Sequence, residues 1–170
     1  MTPLWESTRD LHHACEEHPV GAAMASGTPP ATWYVDWLGA LQQIHCVVDP
    51  DMPDMLWRAE RLRSDTEALG LKPLELAATS EYTQRLLTDA NARAGAAYVL
   101  TGAHLMGGEI MRRRLQGYPT KHLEWDDRKE ALAGLKALRE AEGIAEAARG
   151  CFYALLQIMD EILARRTAQS

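Results

Sequence analysis

Gly102-Ala103-His104-Leu105-Met106-Gly107-Gly108 stands in the middle of a segment whose composition otherwise favours a helix. Three glycines in seven helical positions cost about 1 kcal/mol each relative to alanine. A chain accepts that cost where a flat ligand or another backbone must come close, or where the helix must kink. Close packing of two helices is the other explanation, and the sequence leaves both open.

Helices are predicted on both sides of this segment, because helix-starting and helix-ending residues recur along the chain. Thr2-Pro3 opens the first helix, and Gly70 ends the third. The predicted helices cover about residues 3–17, 31–48, 54–69, 95–115, 127–139 and 144–166. Residues 21–30 are expected to form a loop, and residues 71–94 to be less regular, with short helical pieces at 74–78 and 81–88. No alternation of period two occurs, so the sequence predicts an all-α protein with no sheet.

Composition limits the function as well as the fold. The chain has 170 residues and a net charge of −6, which suits a single domain, 1–170, and argues against nucleic-acid binding. There is no apolar run of about 18 residues, so no membrane span is predicted. No leader is recognised, and the three isolated cysteines suit reduced thiols, so we expect a cytoplasmic protein. The cysteines are Cys15, Cys46 and Cys151.

Three motifs follow one another in the order found in a known family. The first is Leu4-Trp5-Glu6-Ser7-Thr8-Arg9-Asp10-Leu11-His12, the second is Tyr98 followed by Gly107-Gly108, and the third begins at Arg149-Gly150-Cys151-Phe152. Together they resemble the bacterial haem oxygenases over about residues 4–166. The resemblance implies an all-α, multi-helix fold. In that fold haem lies between the first, proximal helix and a distal helix kinked at glycine.

The resemblance also implies roles for individual residues. His12 would be the proximal ligand of the haem iron, with Thr8 and Glu16 one helical turn away on either side. Arg9 would pair with a haem propionate. Gly107 and Gly108 would let the distal backbone lie on the haem face, and Tyr98 and Phe152 would line the pocket. Without the resemblance, His12 reads as a surface histidine and Arg9 as an exposed cation paired with Glu6 or Asp10.

His104 stands where many haem oxygenases carry a distal aspartate that orders water for proton delivery. A histidine there could hydrogen-bond bound dioxygen, relay protons, or ligate the iron together with His12. The remaining alternative is that a helix kink turns the His104 ring away from the haem.

The other histidines carry weaker signals. His13 is expected to face solvent, because it lies about 100° around the helix from His12. His18 is a reserve ligand candidate, but is better explained as a helix-end residue interacting with terminal carbonyls. His45 and His122 are interpreted as ordinary surface or packing residues. Lys136 and Arg139 are expected to be exposed, and Arg112-Arg113-Arg114 to complement the end of the distal helix.

These observations leave two main candidate functions and a third that is less well supported. The resemblance implies cleavage of haem b, as substrate and cofactor, with O2 to biliverdin, Fe2+ and CO. Electrons would come from an external ferredoxin or reductase, since no flavin or dinucleotide motif is present. The alternative is a haem carrier or sensor with His12 and His104 as axial ligands. A di-iron oxidase ranks third, because no ExxH occurs and Asp10–His13 is the only DxxH.

Overall fold

The computed structural model describes residues 3–169, which form nine α-helices joined by turns and short 3-10 segments. The helices are α1 (Pro3–Glu17), α2 (Pro19–Ser26), α3 (Ala31–Val48), α4 (Ala59–Leu69), α5 (Ala77–Thr88), α6 (Ala90–Met106), α7 (Gly108–Arg114), α8 (Arg128–Leu138) and α9 (Ile144–Thr167). The 3-10 segments are Asp49–Asp51, Asp54–Leu56 and Lys121–Leu123. No β-strand occurs within residues 3–169, so the all-α prediction is confirmed.

The core forms around α9 and α3. Helices α1, α3, α5 and α6 all pack against α9, and α3 also carries α4 and α5 on its other sides. Both central helices bury many of their apolar side chains, Leu38 and Ile44 on α3 and Ile158 and Ile162 on α9 among them. A smaller apolar cluster joins α8 to the end of α6 and is made of Leu56, Leu105, Ala131 and Leu135.

The helices with strong local signals lie where the sequence places them. Helix α3 matches the predicted 31–48, and α4 ends at Leu69 before Gly70, whose φ of 67° closes the helix. The last two helices agree with the prediction to within one residue at each end. Thr2, predicted to open α1, lies outside the described residues.

The predicted loop at residues 21–30 is wrong over most of its length. Residues 19–26 form α2, because His18 and Pro19 together make a helix start. The His18 side chain accepts a hydrogen bond from the Val20 N–H through Nδ1 at 3.1 Å. Gly27, with a φ of 83°, ends the helix. The interpretation of His18 as a partner of terminal carbonyls is therefore wrong too, since it caps a helix start.

The region from 71 to 94 is more regular than predicted. Helix α5 has 12 residues, and its first N–H groups, those of Ala77 and Ala78, bind the Glu161 carboxylate of α9 at 3.0 and 2.9 Å. Asp89 then caps α6 through the Ala92 N–H at 3.0 Å, so α6 begins five residues before the predicted start at Gly95. None of the helices is long and apolar enough to span a membrane, as far as the described residues go.

Candidate functional site

The predicted helix 95–115 is broken at Gly107. Gly107 lies between α6 and α7 with φ −102° and ψ −12°. The carbonyl groups near the break find side-chain donors, because Trp125 Nε1 donates to the His104 oxygen at 3.4 Å and Arg128 Nη1 donates to the Leu105 oxygen at 2.5 Å. The helix is therefore kinked at Gly107. Side chains just before α8 and at its first residue stabilise the kink by binding the carbonyl groups beside it.

One face of α6 and α7 is apolar and uncovered. It carries Gly102, Ala103, Met106 and Ile110, which we call the open face, and the side chains of Met106 and Ile110 are 65% and 55% exposed. A methyl group at Gly102 would meet no atom of a neighbouring element within 4 Å. Close helix packing therefore does not explain Gly102. Gly95 shows the contrast, since a methyl group there would lie 2.5 Å from Ala147 of α9.

His12 projects from α1 with one ring nitrogen accessible. Its ring lies 5.4 Å from the Trp5 ring and 6.1 Å from the Phe152 ring, both at steep interplanar angles. Nδ1 is buried without a hydrogen-bond partner, 3.7 Å from Glu16 Oε2, while the side chain as a whole is 38% exposed. Nδ1 therefore faces Glu16, and Nε2 is the nitrogen left for a ligand that arrives on the side of the ring away from Glu16.

His12 and the open face belong to helices that share a neighbour, α9. Helices α1 and α6 both pack against α9 but make few contacts with each other, and α2 meets α7 at one end. Arg114 of α7 joins these two helices by donating to the Ala25 oxygen of α2 at 3.0 Å. His12 thus lies beside Phe152 of α9, and the small residues of α6 lie on a helix that packs against the same α9.

The other residues to which the resemblance assigns a role differ in burial: one is buried, one is exposed and one is half-buried. The buried Thr8 hydroxyl donates to the Leu4 oxygen of its own helix at 3.1 Å. Arg9 is exposed, and its neighbour Asp10 pairs with Arg149 at 3.0 Å, which holds the pKa of the Asp10 carboxyl below its usual range. Tyr98 is half-buried and packs against both apolar clusters.

His104 points away from the open face. Residues 102 and 104 lie about 200° apart around α6, and the His104 ring is buried, with 7% of the residue exposed. It packs between two other imidazoles, with ring centroids 6.0 Å from His45 of α3 and 5.3 Å from His122. We call His45, His104 and His122 the histidine cluster.

Two buried carboxylates fix the outer rings of the histidine cluster. His45 Nδ1 lies 2.8 Å from Asp49 Oδ1, and His122 Nδ1 lies 2.7 Å from Asp65 Oδ2. Both carboxylates also accept backbone N–H groups, for example that of Ala59 on Asp49 at 2.8 Å. A carboxylate held in this way is an acceptor, so each ring donates from Nδ1 and keeps its lone pair on Nε2.

The electrostatics favour neutral rings at His104 and His122. Burial, followed by the nearby His122, His45 and Arg58, holds the pKa of His104 well below its ordinary value. Burial also lowers the pKa of His122, although Asp65 opposes the shift. His45 Nε2 and His104 Nδ1 are both buried without a hydrogen-bond partner. The Arg58 guanidinium stacks 3.6 Å over Trp125, and burial lowers its pKa to about 10.

The sequence interpretation missed the partners of His104. His45 and His122 are buried, so they are packing residues and not surface residues, and each is paired with a carboxylate that the sequence interpretation did not foresee. The spacing of four between His45 and Asp49 was a readable signal, because such residues share a helix face. His122 and Asp65 are 57 residues apart, and no local pattern connects them. His13, with a side chain 59% exposed, faces solvent as predicted.

Comparisons with known proteins agree with this geometry at the level of the fold. No protein-family model matches the sequence, and no curated protein matches it. The haem oxygenase of Leptospira interrogans aligns over 93% of this chain and 97% of its own, with a TM-score of 0.79 and 19% identity. Haem oxygenase-1 of the cyanobacterium Synechocystis, solved in complex with haem, aligns over 98% of this chain and 95% of its own, with a TM-score of 0.79 and 17% identity. The chain therefore has the all-α fold of the bacterial haem oxygenases.

Proposed function

We propose that this chain is a cytoplasmic haem oxygenase, a single domain over residues 1–170 that binds haem b in a cleft between α1 and α6–α7. The observation that carries the proposal is the uncovered open face of α6 and α7, on a helix pair that shares the neighbour α9 with the helix of His12. Gly102 has empty space where a side chain would stand, as a flat ligand lying against α6 requires. One neighbour of the same fold was solved with haem. Three free cysteines suit a reducing compartment.

The residues of this chain would hold and orient the substrate. His12 would bind the haem iron through Nε2, with Phe152 against the ring and Glu16 near Nδ1. Glu16 needs to move only a few tenths of an ångström from 3.7 Å to accept a hydrogen bond from Nδ1. Arg9, exposed on α1, would pair with a propionate.

Haem, when bound, supplies the iron at which O2 is activated and the ring that is opened, giving biliverdin, Fe2+ and CO. The backbone at Gly107 and Gly108 would restrict access to the ring edges and so select the position that is opened. Electrons would come from an external ferredoxin or reductase.

His104 would act through protons rather than as an iron ligand. Ligation would require its ring to leave His45 and His122 and turn about half-way around α6, whereas a proton relay leaves the histidine cluster in place. A neutral imidazole accepts a proton at one nitrogen and releases one from the other. This argument favours an enzyme over a carrier with two axial histidines.

A haem titration followed by reduction in air tests the proposal. We expect one haem per chain, a His12→Ala variant that loses the bound-haem spectrum, and a His13→Ala control that keeps it. Ascorbate or a reductase should then remove the Soret band as a bilin band rises. A stable six-coordinate haem spectrum that becomes five-coordinate in His104→Ala would show that the protein is a haem carrier and not an oxygenase. If the protein binds no haem at all, both functions are refuted.

A further inference from the structure

We propose that the C-terminal half of α1 holds a divalent transition-metal ion of the Zn2+ class when haem is absent. Its ligands are His12 Nδ1, His13 Nδ1 and the Glu16 carboxylate. Within residues 3–169, these three side chains are the one group of three or more His, Cys, Asp or Glu residues whose ligand atoms all lie within 4.8 Å of one another. The metal site stands on this geometry alone. Its effect on haem rests on the proposed function.

The distances are already close to those that an ion needs. Glu16 Oε2 lies 3.7 Å from His12 Nδ1 and 3.5 Å from His13 Nδ1. Tetrahedral zinc has bonds of about 2.1 Å to nitrogen and oxygen, which places neighbouring ligand atoms roughly 3.4 Å apart. Two edges of the coordination shell therefore need shifts of only a few tenths of an ångström. The third edge joins the two imidazoles, whose ligand atoms lie within 4.8 Å of each other, and would have to shorten by side-chain rotation.

The surroundings fit a metal ion better than a hydrogen bond. His12 Nδ1 is buried and has no hydrogen-bond partner, so a bound cation would satisfy an otherwise unpaired polar atom. His13 and Glu16 are more than half exposed, which leaves room for water in the open coordination position. Two imidazoles and a carboxylate form a ligand set that zinc accepts in proteins.

Metal and haem would exclude each other at His12. A neutral imidazole has one nitrogen with a lone pair and one with a proton. If Nε2 binds the haem iron, Nδ1 keeps its proton and points it towards Glu16, so Nδ1 cannot bind a second metal. If zinc occupies Nδ1, the proton moves to Nε2 and blocks the haem ligand. Zinc would therefore weaken haem binding, and haem would weaken zinc binding by the same factor.

The first measurement is Zn2+ binding to the haem-free protein, in competition with a chromophoric chelator. We expect one tight Zn2+ per chain in the wild type. The variant His13→Ala should weaken binding on the order of 10–100-fold or more, since loss of even a supporting partner costs that much. Glu17→Gln is the matched control: it removes a neighbouring exposed charge outside the site and should bind Zn2+ as the wild type does.

The second measurement is haem titration with and without Zn2+. At a free Zn2+ concentration 100 times its dissociation constant, the apparent haem affinity of the wild type should fall about 100-fold. In His13→Ala, whose Zn2+ binding is about 10–100-fold weaker, the same Zn2+ concentration should lower the apparent haem affinity only about 2- to 11-fold. Equal Zn2+ affinity in the wild type and His13→Ala would overturn the metal site.

The two proposals fail in distinguishable ways. Zn2+ binding through His13 with unchanged haem affinity would overturn the exclusion at His12 but keep the metal site. If the protein does not bind haem at all, the proposed function and the exclusion fall together. The metal site is then decided by the chelator measurement alone.

Discussion

Two glycines of α6 have opposite surroundings, and alanine substitutions should separate them. A methyl group at Gly95 would collide with Ala147, whereas one at Gly102 enters open space. We expect Gly95→Ala to lower the free energy of unfolding by about 1–3 kcal/mol through overpacking. Gly102→Ala should raise it by up to about 1 kcal/mol through helix propensity. Urea unfolding of the haem-free protein measures both changes.

The same Gly102→Ala variant tests where the ligand lies. If haem lies against the open face, the added methyl group occupies part of its space and weakens haem binding even though the protein is more stable. A stabilised variant with unchanged haem affinity would show that the ligand does not approach Gly102. Ala133→Ser, on the exposed side of α8, is a control for small-residue changes distant from the cleft.

At the level of single residues, the neighbours of His12 can be predicted from the sequence more easily than those of His104. His12 lies in a continuous motif on one helix, so its neighbour Glu16 follows from helical geometry alone. The environment of His104 depends on α3, on α6 and on the segment before α8. Its contact with His122 needs Asp65, more than fifty positions earlier. A single sequence contains no local signal for such a contact.

The junction between α6 and α7 depends on one long side chain. Arg128 Nη1 donates to the Leu105 oxygen, where the helical hydrogen-bond pattern is interrupted. We expect Arg128→Met, which keeps the aliphatic stem, to lower the free energy of unfolding by about 1–2 kcal/mol, because a charged donor is lost. Hydrogen exchange should show faster exchange of amides around Gly107. Lys129→Met is the control, and an equal effect in both variants would contradict this role for Arg128.

At the level of helices, local sequence signals predict where a helix begins or ends, and contacts with residues distant in the sequence extend or shift these ends. Helix α4 ends at Gly70 because glycine readily takes a positive φ, and this signal is readable in one residue. Helix α5 is longer than predicted, because the Glu161 carboxylate that binds its first N–H groups comes from α9. Helix α2 was missed because histidine is an uncommon helix cap, although Pro19 in the first turn was visible.

The histidine cluster should make the whole molecule sensitive to acid. The folded state favours neutral His104 and His122, so below their ordinary pKa of about 6.5 the unfolded chain takes up more protons. The stability is therefore present above pH 6.5 and is lost as the pH falls. The loss begins near pH 6.5 and is larger for His104, whose pKa lies well below its ordinary value, than for His122, where Asp65 opposes the shift.

Urea unfolding of the haem-free protein at several pH values measures this dependence. His104→Asn removes one of the rings, so its stability should change less with pH than that of the wild type. His13→Ala removes an exposed ring and should leave the slope as it is. A wild-type slope that His104→Asn does not reduce would contradict a neutral, buried His104.

Asp49 also limits how long the connection between α3 and α4 can be. It stands at the end of α3, and its Oδ2 binds the N–H groups of Arg58 and Ala59 at 2.9 and 2.8 Å, so the intervening residues form a closed loop tied at both ends. A two-residue insertion after Pro53 would strain both bonds and displace His45 through Asp49. The same insertion after Gly70, where the chain is exposed, would only lengthen a surface turn. Natural variation in chain length should therefore accumulate at the second position, and circular permutants or tags belong there rather than between α3 and α4.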